Sequence, residues 1–201
     1  MIITVASFKG GVGKTTTAVH LSAYFSGLAD TLLIDGDPNR SATGWGKRGS
    51  LPFTVIDERQ AAKYARNYKN IVIDTQARPE DEDLEALADG CDLLVIPSTP
   101  DALALDALML TIEALRKLGS QRYRILLTII PPYPSKDGED ARKIITEAGL
   151  PLFKTGIKRY SVFQKASLAG VVVSGVSDSK SAIAWSDYKA IGKEILGEIG
   201  K

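Results

Sequence analysis

The sequence predicts a doubly wound α/β fold, with one mostly parallel sheet and helices on both faces, and three observations carry that expectation. Short apolar runs rich in β-branched residues recur along the chain, separated by helical stretches. These runs scarcely alternate with polar residues, the pattern of strands covered on both faces. No stretch of turn residues is long enough for an interdomain linker, so residues 1–201 are expected to form a single domain.

The first run, Ile2–Ala6, leads into a glycine-rich turn and a helix expected over Thr15–Ser26. Thr31–Ile34 and Phe53–Ile56 are the next strands, the latter followed by a helix over Glu58–Arg66. Ile71–Ile73 precedes a helix over Glu80–Ala88, and Leu93–Ile96 precedes the clearest helical pattern, Asp101–Leu118. There Leu103, Ala107, Leu110, Ala114 and Leu118 form one stripe, with Leu105, Leu108, Ile112 and Leu115 beside it. So wide an apolar face predicts a largely buried helix. Ile125–Ile130 is the sixth strand and Pro131–Gly138 a surface loop, after which helices are expected over Gly138–Ala148, Ser161–Leu168 and Ser179–Ile199.

Composition narrows the function classes. A chain of 201 residues buries roughly 70% of its unfolded surface and needs no staple to fold. The single cysteine, Cys91, excludes an intramolecular disulfide and a cysteine-built metal cluster within one chain. With 25 basic and 24 acidic residues the net charge is +1, so any nucleic-acid contact must come from a local patch. No basic leader precedes the apolar start, and no apolar run approaches the ~18 residues of a membrane span. A soluble, cytoplasmic protein is expected. His20 has no metal-like partner nearby in the sequence and is assigned to packing or surface.

The first strand runs straight into Lys9-Gly10-Gly11-Val12-Gly13-Lys14-Thr15-Thr16. A phosphate needs inward-facing backbone N–H groups, glycines that let the backbone approach, a lysine to neutralise charge and a helix N-terminus behind them, and this segment supplies all four. Lys14 is expected to bridge the β- and γ-phosphates and the Thr15 hydroxyl to ligate Mg²⁺. Phe8 occupies the first glycine position of the strict Walker pattern, and a second lysine, Lys9, stands instead at the loop's start. Ile71-Val72-Ile73-Asp74 reads as an apolar strand ending in a Walker-B-like acid, with Asp74 reaching Mg²⁺ through water. Leu32-Leu33-Ile34-Asp35-Gly36-Asp37-Pro38 delivers two carboxylates to the edge where parallel sheets bind ligands; taken alone it reads as a turn.

The order Lys-Gly-Gly-Val-Gly-Lys-Thr-Thr resembles the ParA/MinD family of deviant Walker-A ATPases, and the similarity extends to the final helix, with Trp185, Asp187, Tyr188, Ile191, Glu194 and Ile195. The chain is most similar to short partition or carboxysome-positioning types. The resemblance implies ATP and Mg²⁺ as cofactors and two subunits that enclose two ATP molecules, Lys9 reaching the partner's phosphates. Lys9, Lys14 and Asp37 would be catalytic, Asp37 positioning the attacking water. Lys9, Gly10, Gly11, Val12, Gly13, Lys14, Thr15 and Thr16 would cradle the nucleotide, with Pro131 near the adenine. Thr15, Asp35 and Asp74 would serve the metal. Asn39 departs from the family's usual glutamine, and Gln76 and Arg78 have no assigned role.

Pro97-Ser98-Thr99-Pro100 with Leu103 and Asp106 resembles the family's lead into a dimer-side helix. Basic residues cluster at Arg116, Lys117, Arg122 and Arg124, and again at Lys154, Lys158, Arg159 and Lys165. Read alone these are solvated charged faces. The second, with Ile157, Phe163, Ala166 and Gly170, resembles the segment near the surface that relatives use for nonspecific DNA, which points to Lys158, Arg159 and Lys165 as DNA contacts. The resemblance thus implies a nucleoid-associated ATPase that distributes a plasmid or protein organelle through a ParB- or McdB-type adaptor, hydrolysis being weak until the adaptor stimulates it. The alternative is a MinD-like membrane-associated ATPase. The stripe Tyr188, Ile191, Ile195 and Ile199 on the last helix is small and aliphatic, so it is read as core-facing and no stable membrane association is expected.

Overall fold

Strands buried on both faces need helices above and below, and the chain provides them in turn. The computed structural model describes residues 1–77 and 86–200. Six strands, β1 (Ile2–Ser7), β2 (Thr31–Gly36), β3 (Thr54–Asp57), β4 (Asn70–Ala77), β5 (Leu93–Ser98) and β6 (Tyr123–Leu127), form one sheet in the order β3-β2-β4-β1-β5-β6. Every pairing is parallel. The longer helices among the described residues are α1 (Lys14–Ser26), α2 (Ser41–Arg48), α3 (Ala102–Lys117), α4 (Asp137–Glu147), α5 (Val162–Ala169) and α6 (Ser181–Ile199).

Successive strand residues feed opposite cores. On one face Ile3, Val5, Leu33, Val72 and Val95 pack with Ala18, Leu21 and Phe25 of α1, Trp45 of α2, Val162 of α5 and Tyr188, Ile191 and Ile195 of α6. On the other, Leu94, Ile96, Ile125 and Leu127 meet Leu108, Ile112 and Leu115 of α3 and Ile145 of α4. Each fully buried Leu or Ile side chain contributes roughly 1.5–3 kcal/mol by leaving water, so the two layers hold the sheet from both sides. The last helix is core-facing as expected, Tyr188, Ile191 and Ile195 being buried. Among the described residues no helix is long and apolar enough to cross a membrane.

Several elements differ from expectation. Helix α2 was not foreseen, because Gly44 and Gly46 are poor helix formers. Tertiary contacts form it: Trp45 and Ala42 are buried, and Asp35 accepts a hydrogen bond from the N–H of Thr43 in the first turn. The helix expected over Glu58–Arg66 is instead three successive short turns, Glu58–Gln60, Ala61–Tyr64 and Ala65–Asn67. Strand β6 ends at Leu127, and the backbone beyond it touches the later chain at a single parallel bridge, Ile130 to Lys158. Helix α3 is only half buried: Leu103 and Leu110, placed on its main stripe, are 73% and 60% exposed. The helix expected over Glu80–Ala88 lies mostly outside the described residues, as does Arg78; residues 86–89 are helical.

The order of strands sets the site. Between β1 and β2 lies β4, so the carboxyl ends of these three strands stand side by side, and β5 continues beyond β1 on the other flank. Ligands of open parallel sheets bind outside such ends, where the winding reverses direction.

Candidate nucleotide site

The loop from β1 to α1 requires glycine where its backbone turns: Gly11 and Gly13 have φ of 79° and 84°, values that strain any residue with a Cβ. At Gly10 and Gly11 nothing lies within 4 Å of where a Cβ would stand, so the loop presents bare backbone to an open face. It is fastened from below by Thr128, whose hydroxyl donates to Val12 O at 2.7 Å. Lys14 is buried; burial lowers its ammonium pKa, while Asp74 and Asp37 act to raise it. Lys9 lies at the loop's rim, Nζ 2.7 Å from Asp101 Oδ1. Hydrogen bonds from Lys9 and Thr99 hold the Asp101 carboxyl down to about 2, and Asp101 also caps α3 by accepting from the N–H of Ala104.

Asp35 and Asp74 are in register on adjacent strands and both are fully buried. Their situations differ. The Asp35 carboxylate is engaged by the Thr43 N–H at 2.8 Å, the Thr43 hydroxyl at 2.7 Å and the Asp37 N–H at 3.2 Å. Neither carboxylate oxygen of Asp74 has a hydrogen-bond partner. Burial first, then Asp35 and Asp37, push the Asp74 carboxyl up to about 7, with Thr15 and Lys14 opposing. Two orphaned carboxylate oxygens beside the Thr15 hydroxyl are a sparse oxygen donor set, one that fits Mg²⁺, which keeps waters and substrate phosphates among its ligands. Of the three expected metal residues, Asp74 has both oxygens unpartnered with Thr15 beside it, while the Asp35 carboxylate is hydrogen-bonded to Thr43 and Asp37. Asp37 is partly exposed, its Oδ1 held by the Asn39 N–H at 2.8 Å and Nδ2 at 2.9 Å.

Beside the loop opens a mostly apolar cavity of about 540 Å³, lined by Thr16, Trp45, Ile157, Tyr160, Phe163 and Leu168 among others. A nucleoside whose phosphates lie on the loop would extend past Thr16 into these aromatic walls. Sequence reasoning missed this pocket because its lining comes from α1, α2, the end of β6, the 157–160 segment, α5 and α6, with no local motif. Pro131 is not among its lining residues. It lines a smaller pocket of about 340 Å³ with Lys9, Gly10, Gly11, Asp101 and Arg159.

The expected DNA contacts are brought partly together. Lys158 and Arg159 stand at the wall of the larger cavity, their backbone held by the 130–158 bridge and by Arg159 N–H donating to Ile130 O. Lys165 projects from α5 and is paired with Asp178 at 2.6 Å. In the other basic cluster Arg124 is paired with Glu198 and lies over the Phe153 ring. His20 is fully buried: Nδ1–H donates to Thr16 O at 2.7 Å, and Nε2 accepts from the Val173 N–H at 3.0 Å. Burial pushes it down to about 4, so it is a neutral strut between the phosphate-loop helix and the wall opposite, stacked on Tyr188.

A family model described as the CobQ/CobB/MinD/ParA nucleotide binding domain matches residues 3–200. The maintenance of carboxysome distribution protein A of Gloeobacter kilaueensis is 30% identical, over 96% of this chain and 93% of that protein. A solved Cyanothece McdA complex with ATP superposes with a TM-score of 0.74 at 18% identity, over 99% of this chain and 96% of that one. A chain of the Aquifex aeolicus MinC:MinD cell division complex gives 0.78 at 16% identity, over 98% and 96%. At such identities the superpositions speak for the fold. The family match begins within β1 and ends beyond α6, taking in the phosphate loop and both buried carboxylates, and on that ground the chain belongs to the CobQ/CobB/MinD/ParA nucleotide-binding domain family of P-loop ATPases.

Proposed function

We propose that this chain is a positioning ATPase of the ParA/McdA type. It closes into a dimer around ATP, binds nonspecific DNA in that state, carries a plasmid or carboxysome-like cargo across the nucleoid through an adaptor protein, and is released when the adaptor stimulates hydrolysis. The observation that carries the reading is the division between the loop's two lysines: Lys14 is buried among Asp74 and Asp37, whereas Lys9 stands at the rim, restrained by Asp101. A buried lysine serves its own subunit's phosphates. A rim lysine can leave a surface carboxylate for the phosphates of an apposed subunit and offset the charge shifted in phosphoryl transfer.

In this reading the bare amides of Gly10 to Gly13 hold the β- and γ-phosphates, and Trp45, Tyr160 and Phe163 receive the base. Thr15 and Asp74 hold Mg²⁺, which neutralises phosphate charge when bound. Asp37 accepts a hydrogen bond from the attacking water and orients it. A subunit with net charge +1 has no general attraction for DNA, so affinity arises when Lys158, Arg159 and Lys165 are doubled in the dimer. Six to eight phosphate contacts imply that affinity falls about 10³–10⁵-fold between 50 and 200 mM salt.

Light scattering with ATP tests the division of labour: Lys14→Ala should lose nucleotide binding, and Lys9→Ala should bind ATP yet remain monomeric. A normal Lys9→Ala dimer would refute the trans role. Filter binding on unrelated duplexes tests the DNA step. Binding should require ATP, ignore sequence and vanish in Arg159→Glu, whereas equal binding with ADP would remove DNA from the mechanism.

A further inference from the structure

Arg40, three residues past Asp37, has a left-handed backbone with φ 52° and ψ 42°, a conformation natural to glycine and strained for arginine. Such strain persists where surrounding contacts over-determine it, and here they can be named. The Arg40 N–H donates to Asp37 O at 2.8 Å. Its side chain folds back so that Nη1 donates to Asp35 O at 2.5 Å, while Nη2 lies 3.1 Å from Asp57 Oδ2 and 3.4 Å from Glu58 Oε1. Asp57 closes edge strand β3 in register with Asp35. One residue thus ties the Asp37 loop to the ends of both β2 and β3.

Among the described residues, the other tie from the sheet to that loop is the Asp37 N–H, which donates to Asp35 Oδ1 at 3.2 Å. The Asp37 carboxylate is steadied by Asn39, itself exposed and within the same turn. Thr43 binds Asp35 rather than Asp37. Arg40 also lies between two carboxylates that follow one another in the chain, Asp57 and Glu58, and offsets their charge. Although Arg40 lines a pocket with Thr15 and Thr16, its guanidinium is already engaged by these partners, which assigns it to the loop rather than to the nucleotide.

We infer that Arg40 is a positioning residue for ATP hydrolysis: it holds the Asp37 loop against the ends of β2 and β3 and so sets where the Asp37 carboxylate meets water. The inference rests on the reading that Asp37 orients the attacking water. A group held loosely in place loses rate without losing substrate binding.

Arg40→Gly is the informative variant, because glycine keeps the left-handed backbone and deletes the side chain alone. In single-turnover ATP hydrolysis by the full chain with Mg²⁺, its rate should fall about tenfold, with ATP affinity within twofold of wild type and the melting temperature little changed. Asp57→Asn approaches from the partner side; asparagine can still cap the Arg59 N–H as Asp57 does, while the ion pair is weakened. It should slow hydrolysis several-fold, and combined with Arg40→Gly should add no further loss, as expected for two groups acting through one contact. An unchanged rate in Arg40→Gly, weaker ATP binding at an unchanged rate, or additive losses in the double variant would each overturn the assignment. Asp37→Ala is measured alongside. If it hydrolyses ATP normally, the underlying reading fails; if it is inactive while Arg40→Gly is normal, only the role of Arg40 falls.

Discussion

The phosphate loop and the loop after β2 are neighbours at one sheet edge, and they are built on opposite plans. The first, from Lys9 to Gly13, leaves things unsatisfied: glycine backbone faces open space, and beside it both oxygens of Asp74 lack partners. The second, from Asp35 to Thr43, satisfies itself, with Asp35, Asp37, Asn39, Arg40 and Thr43 joined in one hydrogen-bonded knot. A buried polar group without a partner costs free energy that a ligand can return. The first loop is therefore poised for a ligand to complete it, and the second holds its shape without one and can aim a catalytic group.

That contrast is open to attack at four points. The largest effect should come from the self-satisfied side: Asp37→Ala should keep ATP binding and dimerisation yet lose hydrolysis about 10²–10⁴-fold, roughly 3–5 kcal/mol of barrier. Turnover undiminished in the presence of the activating partner would move the role elsewhere. On the unsatisfied side, the Asp74 value of about 7 lies above the ordinary 3.8, so the fold disfavours its ionised form. The penalty is absent below pH 3.8 and complete above pH 7. Asp74→Asn should thus stabilise the nucleotide-free protein increasingly over that window, by roughly 4 kcal/mol in denaturant titrations, and reverse in sign with Mg²⁺ and nucleotide present.

His20 supports the phosphate loop from behind and titrates in the other sense. Its value of about 4 lies below the ordinary 6.5, so its contribution is fully present above pH 6.5 and lost as pH falls toward 4. Relative to His20→Gln, the wild type should lose roughly 3 kcal/mol across that window; parallel pH profiles of the two proteins would contradict a buried neutral imidazole. The smallest effect concerns the rim. Lys9 and Asp101 form a partly exposed pair, worth about 1 kcal/mol at most. Asp101→Asn, which preserves the helix cap, should lower the protein concentration needed for ATP-driven dimerisation by about two- to fivefold in light scattering. No change would mean that the pair does not restrain Lys9.

The two loops also differed in legibility. Lys9 to Thr16 could be read because its chemistry is local: the glycines, the lysines and the following helix are contiguous. The knot around Asp35 could not, since Ser41–Arg48 carries two glycines and is made helical by contacts with Asp35 and the core, which no local propensity reports. The apolar cavity was hidden for the same reason, Trp45, Ile157 and Phe163 being far apart in sequence. Leu103 and Leu110 misled in the opposite direction, because an apolar periodicity shows which residues share a face and not whether anything covers it.

The placement of β4 between β1 and β2 has a consequence for the order of synthesis. When the first two strands have been made they have no pairing with each other, and the slot between them can be filled only by a strand that ends at Ala77. At roughly 5–20 residues per second, a ribosome takes about 2–8 s to pass from the end of β2 at Gly36 to that point. Until then the phosphate loop has no sheet beneath it, and its lysines and glycines are ordinary chain. Nucleotide cannot guide the earliest folding of this protein, and no amino-terminal fragment that stops before β4 should retain it.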